Sequence, residues 1–120
     1  MIDLAKAKEF ATGWIAAWNR HDLDAILGHY ADALEFTSPL VVERLGRADG
    51  TIRDKAELRA YFSPSLRPDS KLRFEPIDVL AGVSSVTLVY RNHRDQIVAE
   101  TMELDDAGRA VRVTVHHRPV

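Results

Sequence analysis

The spacing of apolar residues changes once along this 120-residue chain, and that change constrains its fold more than any other feature. Over residues 3–31 apolar side chains recur every three or four positions, and over residues 71–118 they recur every second position. The first spacing is that of helices with one buried face; the second is that of strands with one buried face. Helices followed by hairpin-linked strands predict an α+β domain rather than alternating β-α-β units. No repeat, low-complexity tract or Gly/Ser-rich linker divides the sequence, so a single domain over residues 1–120 is expected.

Leu4, Ala7, Ala11, Trp14, Ile15 and Trp18 form one apolar stripe and predict a helix over residues 3–18. The polar turn Asn19-Arg20-His21 interrupts it. Asp22 then sits where an N-cap is wanted, and Leu23, Ile26, Leu27 and Tyr30 give the buried face of a short second helix. Residues 33–38 read as a strand stopped by Pro39. Arg44, Arg47 and Arg53 fall in a polar loop that rims the molecule and is able to steer an anion. A third helix starts at the capping box Asp54-Lys-Ala-Glu57, turns Leu58, Tyr61 and Phe62 inward and ends before Pro64.

Four strands follow, over residues 71–80, 83–92, 96–104 and 109–118, the first with a bulge near Glu75-Pro76 where the alternation changes phase. Asp105-Asp106-Ala107-Gly108 suits a four-residue hairpin loop with Gly108 at positive φ. That loop would pair Leu104 with Arg109, Met102 with Val111 and Glu100 with Val113. This register gathers Val98, Met102, Leu104, Val111, Val113 and Val115 on one face.

Composition removes several classes of function. Without cysteine there are no disulfides, thiolate chemistry or cysteine-held metal clusters. A formal net charge of −2 and a pI near 6.2 lack the positive field of a nucleic-acid binder. The longest apolar run, residues 14–18, is too short to span a membrane, and the opening residues lack the pattern of a signal peptide. A cytoplasmic protein is expected. No Gly-rich fingerprint follows a strand, so no nucleotide, nicotinamide or flavin cofactor is expected.

Three segments carry a resemblance. Trp18-Asn-Arg-His-Asp-Leu-Asp-Ala-Ile-Leu-Gly-His-Tyr-Ala-Asp32 with Phe36-Thr-Ser-Pro39, then Asp49 to Phe62, then Met102-Glu-Leu-Asp-Asp-Ala-Gly-Arg109, resemble in order the nuclear transport factor 2-like superfamily. The likeness is closest to its SnoaL-like group of small bacterial proteins. It implies three N-terminal-half helices packed on a strongly curved antiparallel sheet, a cone with an internal pocket. It does not fix the function, because the superfamily holds isomerases, cyclases, dehydratases, epoxide hydrolases and members that only bind or scaffold.

Glu100 is the most informative residue. It falls mid-strand in the inward phase, between Val98 and Met102, where burial raises a carboxyl pKa and suits it to acid–base work. The resemblance points the same way, since the matching position in ketosteroid isomerases carries an oxyanion-donating acid. The alternative is a structural pair with an arginine or with His117. His117 shares the inward phase and is the second catalytic candidate; its alternative is a ring satisfied by a backbone carbonyl. His116 should face the other way, and no histidine has a ligand-spaced partner, so no metal site is expected.

Ser38 stands where those isomerases carry the aspartate base, and Trp14 where they carry a donating tyrosine, which argues against steroid-type isomerisation. Trp14, Trp18, Tyr30, Phe36, Phe62 and Tyr90 are candidate pocket linings, with plain core as the alternative for each. Ser38, Met102 and Val113 complete the expected set. The reading is a pocket for an apolar or aromatic small molecule, with cofactor-free cyclisation, dehydration or isomerisation at Glu100. The rival is a catalytically silent binding or scaffold domain. A homodimer is expected through the outer sheet face, where Thr87, Val89, Ile97, Ala99, Thr101 and Thr114 alternate with the inward residues.

Overall fold

Helix α1 (Leu4–Asn19) starts where its first free backbone N–H groups find an acceptor: the Asp3 carboxylate accepts from the Lys6 N–H at 2.8 Å. Asp22 caps α2 (Leu23–Leu27) in the same way, accepting from the Ala25 N–H at 3.1 Å. The computed structural model describes residues 1–118. Strand β1 (Tyr30–Thr37) follows, and Pro39 does more than stop it. Ser38 and Pro39 open a further helix, α3 (Pro39–Leu45), where the sequence predicts a polar loop. The Ser38 hydroxyl accepts from the Leu40 N–H at 3.2 Å, and Pro39 occupies the first turn, where its missing N–H costs nothing.

Strand β2 (Thr51–Asp54) was also unforeseen and carries Arg53. Asp54 caps α4 (Lys55–Phe62), accepting from the Glu57 N–H at 2.7 Å. The reciprocal half of the expected capping box is absent. The Glu57 carboxylate is taken instead by Arg47, which donates to both its oxygens at 2.8 and 2.7 Å. A 3-10 turn over Ser63–Leu66 carries the chain past Pro64.

Four strands, β3 (Glu75–Ala81), β4 (Ser85–Arg91), β5 (Ile97–Leu104) and β6 (Ala110–His117), form the meander. Residues 71–74 do not join β3, because their backbone is satisfied elsewhere. Asn19 donates to the Phe74 carbonyl at 2.9 Å and accepts from the Phe74 N–H at 2.7 Å, and His21 Nε2 meets the Leu72 carbonyl at 2.8 Å. The β3 register shifts between Pro76 and Asp78, next to the expected bulge.

The β5–β6 register differs from expectation by two residues: Met102 lies opposite Val113 and Glu100 opposite Val115. Gly108 takes φ +78° as expected, but the ladder slips between Glu103 and Leu104, so Leu104 faces Ala110 and Val111 is the extra residue of a bulge. Ala110 therefore turns inward in place of Val111, and Leu104 is only half-buried. A shift of two preserves the faces, so Val98, Glu100, Met102, Val113 and Val115 remain together inside.

The sheet order is β2-β1-β6-β5-β4-β3. It is antiparallel except where β1 runs parallel to β6. Four helices, rather than three, close its concave side, giving the α+β cone. The buried core includes Trp14, Ile26, Tyr30, Leu88 and Met102. Each large apolar side chain so buried contributes roughly 1.5–3 kcal/mol. The outward residues Thr87, Val89, Ile97, Ala99, Thr101 and Thr114 stay half-exposed, as the alternation requires. No helix among the described residues is long and apolar enough to cross a membrane.

Candidate functional site

The concave face of the sheet and the helices enclose an open cavity of about 1010 Å³. Its deep walls are aromatic because inward positions of β1 and β4 meet the inner faces of α1 and α4. Phe74 lies 4.3 Å from Tyr90 between ring centroids, Trp18 meets Phe62 edge-on at 4.8 Å, and Phe36 meets Phe62 at 5.4 Å. Such tilted and edge-on pairs add about 0.5–1.5 kcal/mol each beyond area burial and hold the wall rigid.

Glu100 is set into this apolar wall, with only 4% of its surface exposed. Leu88 and Val115 flank it across the ladder, and burial pushes its carboxyl up to about 7. The Tyr90 hydroxyl donates a hydrogen bond to Glu100 Oε2, which favours the ionised form and opposes part of that rise. Tyr90 itself is pushed well above the ordinary tyrosine range by burial and by the adjacent carboxylate, so it remains a donor at neutral pH. Among the described residues no cation is ion-paired with Glu100, so neither an arginine nor His117 is the structural partner that the alternative required. The partner is a phenol.

Of the expected residues, Trp18, Phe36, Ser38 and Phe62 line the cavity with Tyr90, Glu100 and His117. The other four do not, and each is corrected by where its element carries it. Trp14 packs behind Phe74 and Tyr90 at 5.7 and 5.6 Å, and its indole N–H donates to the Tyr30 hydroxyl at 3.0 Å. Tyr30 is thereby closed into the core, where burial raises its pKa strongly. Met102 and Val113 face each other two positions beyond Glu100 on the inner face and are wholly buried.

Ser38 reaches the cavity but spends its hydroxyl on capping α3. His117 is half-buried at the upper edge, with Nε2 lacking a hydrogen-bond partner among the described residues. Burial lowers its pKa, so the ring is neutral at pH 7. His116 points outward, as expected. Among the described residues no three His, Asp or Glu side chains are grouped to hold a metal ion.

Several lining residues escaped the sequence reading. Leu72 and Phe74 lie in the segment read as regular strand, and Arg67, His93 and Arg94 lie in connecting turns. The Asn19-Arg20-His21 turn is a signal for Leu72 and Phe74 alone, because the polar side chains of Asn19 and His21 take their backbone partners there.

A family model described as a SnoaL-like domain matches residues 11–118. No curated protein matches the chain. Among solved structures, a SnoaL-like protein of unknown function from Burkholderia thailandensis is 40% identical, with a TM-score of 0.94 over 99% of this chain and 100% of that one. An NTF2-like protein of unknown function from Cytophaga hutchinsonii gives 12% identity and a TM-score of 0.74 over 94% of this chain and 90% of that one. The epoxide hydrolase/cyclase-like enzyme SalBIII, described in pyran ring formation in the polyether salinomycin, gives 19% and 0.75 over 98% of this chain and 95% of that one. The last two likenesses are of fold alone. With a family model matched over residues 11–118 and a solved relative 40% identical over nearly the whole length, the chain belongs to the SnoaL-like family.

Proposed function

We propose that this protein binds an apolar or aromatic small molecule in its cavity and acts on it by cofactor-free acid–base chemistry at Glu100. One observation carries the reading: a carboxyl with a pKa near 7 set in an aromatic wall of an open cavity. At neutral pH such a group is populated in both states. Ionised, it takes a proton from carbon beside a carbonyl; protonated, it gives one to an epoxide or carbonyl oxygen as that oxygen gathers charge. Tyr90 fixes one carboxyl oxygen and leaves the other free of donors among the described residues. Isomerisation can use Glu100 to take a proton and to return it, dehydration to take one from carbon and pass it to the departing hydroxyl as water leaves, and cyclisation to protonate the oxygen released as the ring closes. SalBIII, a cyclase-like enzyme on the same fold, supports the class without naming a substrate. His117, neutral and unpartnered at the cavity edge, is the second candidate for moving a proton. The outer sheet face supports a homodimer, and a chain without cysteine is compatible with the cytoplasm.

Turnover of a panel of ketones, epoxides and lactones is the test. Glu100→Gln should abolish it, and Tyr90→Phe should move the pH midpoint of activity upward by removing the bond that favours the ionised carboxyl. Binding without turnover in the unaltered protein would assign it as a silent binding domain.

A further inference from the structure

Ten of the twelve arginines divide by place, while Arg73 and Arg109 neither line the cavity nor face a carboxylate within ion-pair distance among the described residues. Arg20, Arg47, Arg53, Arg59, Arg91 and Arg112 each face a carboxylate within ion-pair distance, and none of them lines the cavity. Arg44, Arg67, Arg94 and Arg118 line it, and none has an ion-pair partner among the described residues. They come from four separate segments: α3, the stretch after the 3-10 turn, the β4–β5 turn and the residue after β6. Arg44 is held over the Tyr61 ring, 5.8 Å from its centroid, a contact that positions the guanidinium and leaves its charge unneutralised. Two carboxylates, Glu43 and Asp69, line the same region and do not balance the four cations.

We propose that the ligand of this cavity is an amphipathic organic oxyanion, an apolar or aromatic body ending in a carboxylate or similar acid group. The acid group sits among the arginines at the mouth and the body lies along the aromatic wall. This rests on the cavity being the binding site and adds to that reading the charge and the orientation of the ligand. Guanidinium forks match oxyanions in shape as well as charge. A concave, low-dielectric site also focuses the field of unpaired cations on whatever enters. The reverse orientation would press a second carboxylate against Glu100, and two like charges in that wall would disfavour each other.

The experiment compares two isosteric probes, 1-naphthylacetate and 1-naphthylacetamide, by titration calorimetry on the full chain at neutral pH. The anion should bind about tenfold tighter or more than the amide, a preference that weakens as salt rises from about 0.02 to 0.3 M. In the quadruple variant Arg44→Gln, Arg67→Gln, Arg94→Gln, Arg118→Gln the two probes should bind alike, with the affinity of the amide unchanged, which also reports that the cavity is intact. Equal binding by the unaltered protein, or a preference that survives in the quadruple variant, overturns the charge requirement while leaving the cavity as the binding site. Failure of both probes to bind the unaltered protein overturns the binding-site reading and the present inference with it.

Discussion

Deep in the cavity a single carboxyl, Glu100, sits among aromatic rings on a regular strand, whereas four arginines at the mouth hang from segments that belong to no strand. Both regions are charged, but the charge acts differently in each. Within the wall, water is excluded, so one group is enough: its ionisation is costly, burial moves its pKa to about 7 and a single phenol partner opposes part of the move. At the mouth, solvent screens each guanidinium, so an effect on a ligand requires several acting together. The wall is therefore where chemistry is set by one residue, and the mouth is where recognition is spread over many.

The largest effect expected from breaking this contrast is at Phe62, which holds Trp18 and Phe36 edge-on. Phe62→Ala should cost about 3–5 kcal/mol in urea unfolding, since the surrounding rings are fixed by one another and collapse poorly into the space. No arginine at the mouth should approach that figure.

Glu100→Gln follows in size and has the opposite sign. With its folded pKa raised from 4.5 to about 7, chiefly by burial, Glu100 favours the folded state most when protonated. Its contribution is fully present below about pH 4.5 and is lost as pH rises through about 7. The variant should therefore match the parent near pH 4.5 and be more stable by up to about 3 kcal/mol above pH 8, as 2.5 pKa units at 1.36 kcal/mol each imply. Stability profiles that run parallel across that range would show Glu100 ionising as an ordinary surface acid does.

The wall was far more legible in the sequence than the mouth. Strand alternation puts Val98, Glu100 and Met102 on one face of β5, and a shift of two residues in the β5–β6 register leaves that face unchanged, so Glu100 is expected inside in either register. The partner of Glu100 is not legible, because Tyr90 lies on the neighbouring strand and only the β4–β5 register brings the two together. Trp14 shows the limit of helical spacing. It shares a stripe with Trp18, but one turn along the axis separates a core position from a cavity wall. The mouth depends on irregular chain, where periodicity says nothing. Its helix α3 has a signal in Ser38-Pro39, a cap followed by a first-turn proline, but the same pair also suits the end of a strand.

Ser38 is the hinge between the two regions, and a smaller effect is expected there. Its hydroxyl accepts from the Leu40 N–H and starts the helix that carries Arg44. Ser38→Ala should cost about 1 kcal/mol, the ordinary value of a lost cap. It should weaken binding of 1-naphthylacetate more than that of the amide, because it loosens the segment bearing Arg44 and leaves the aromatic wall in place. Equal weakening of both probes would show that Ser38 supports the wall instead.

The two tryptophans give the finest separation of cavity from core, with no change in stability needed to read it. Trp18 lines the cavity, and its indole N–H lacks a hydrogen-bond partner among the described residues. Trp14 is wholly buried, with its N–H already committed to Tyr30. An apolar, non-fluorescent ligand such as cyclohexylacetate should therefore change the emission of Trp18 by displacing water from its face and leave the surroundings of Trp14 intact. Trp18→Phe should remove most of the signal change on titration, whereas Trp14→Phe should retain it. The rings lie only 5.9 Å apart, so they exchange excitation energy, and the single-tryptophan variants rather than the parent carry the result. A change that survives in Trp18→Phe and disappears in Trp14→Phe would move the binding site into what is now read as core, beside Tyr30 and away from the arginines.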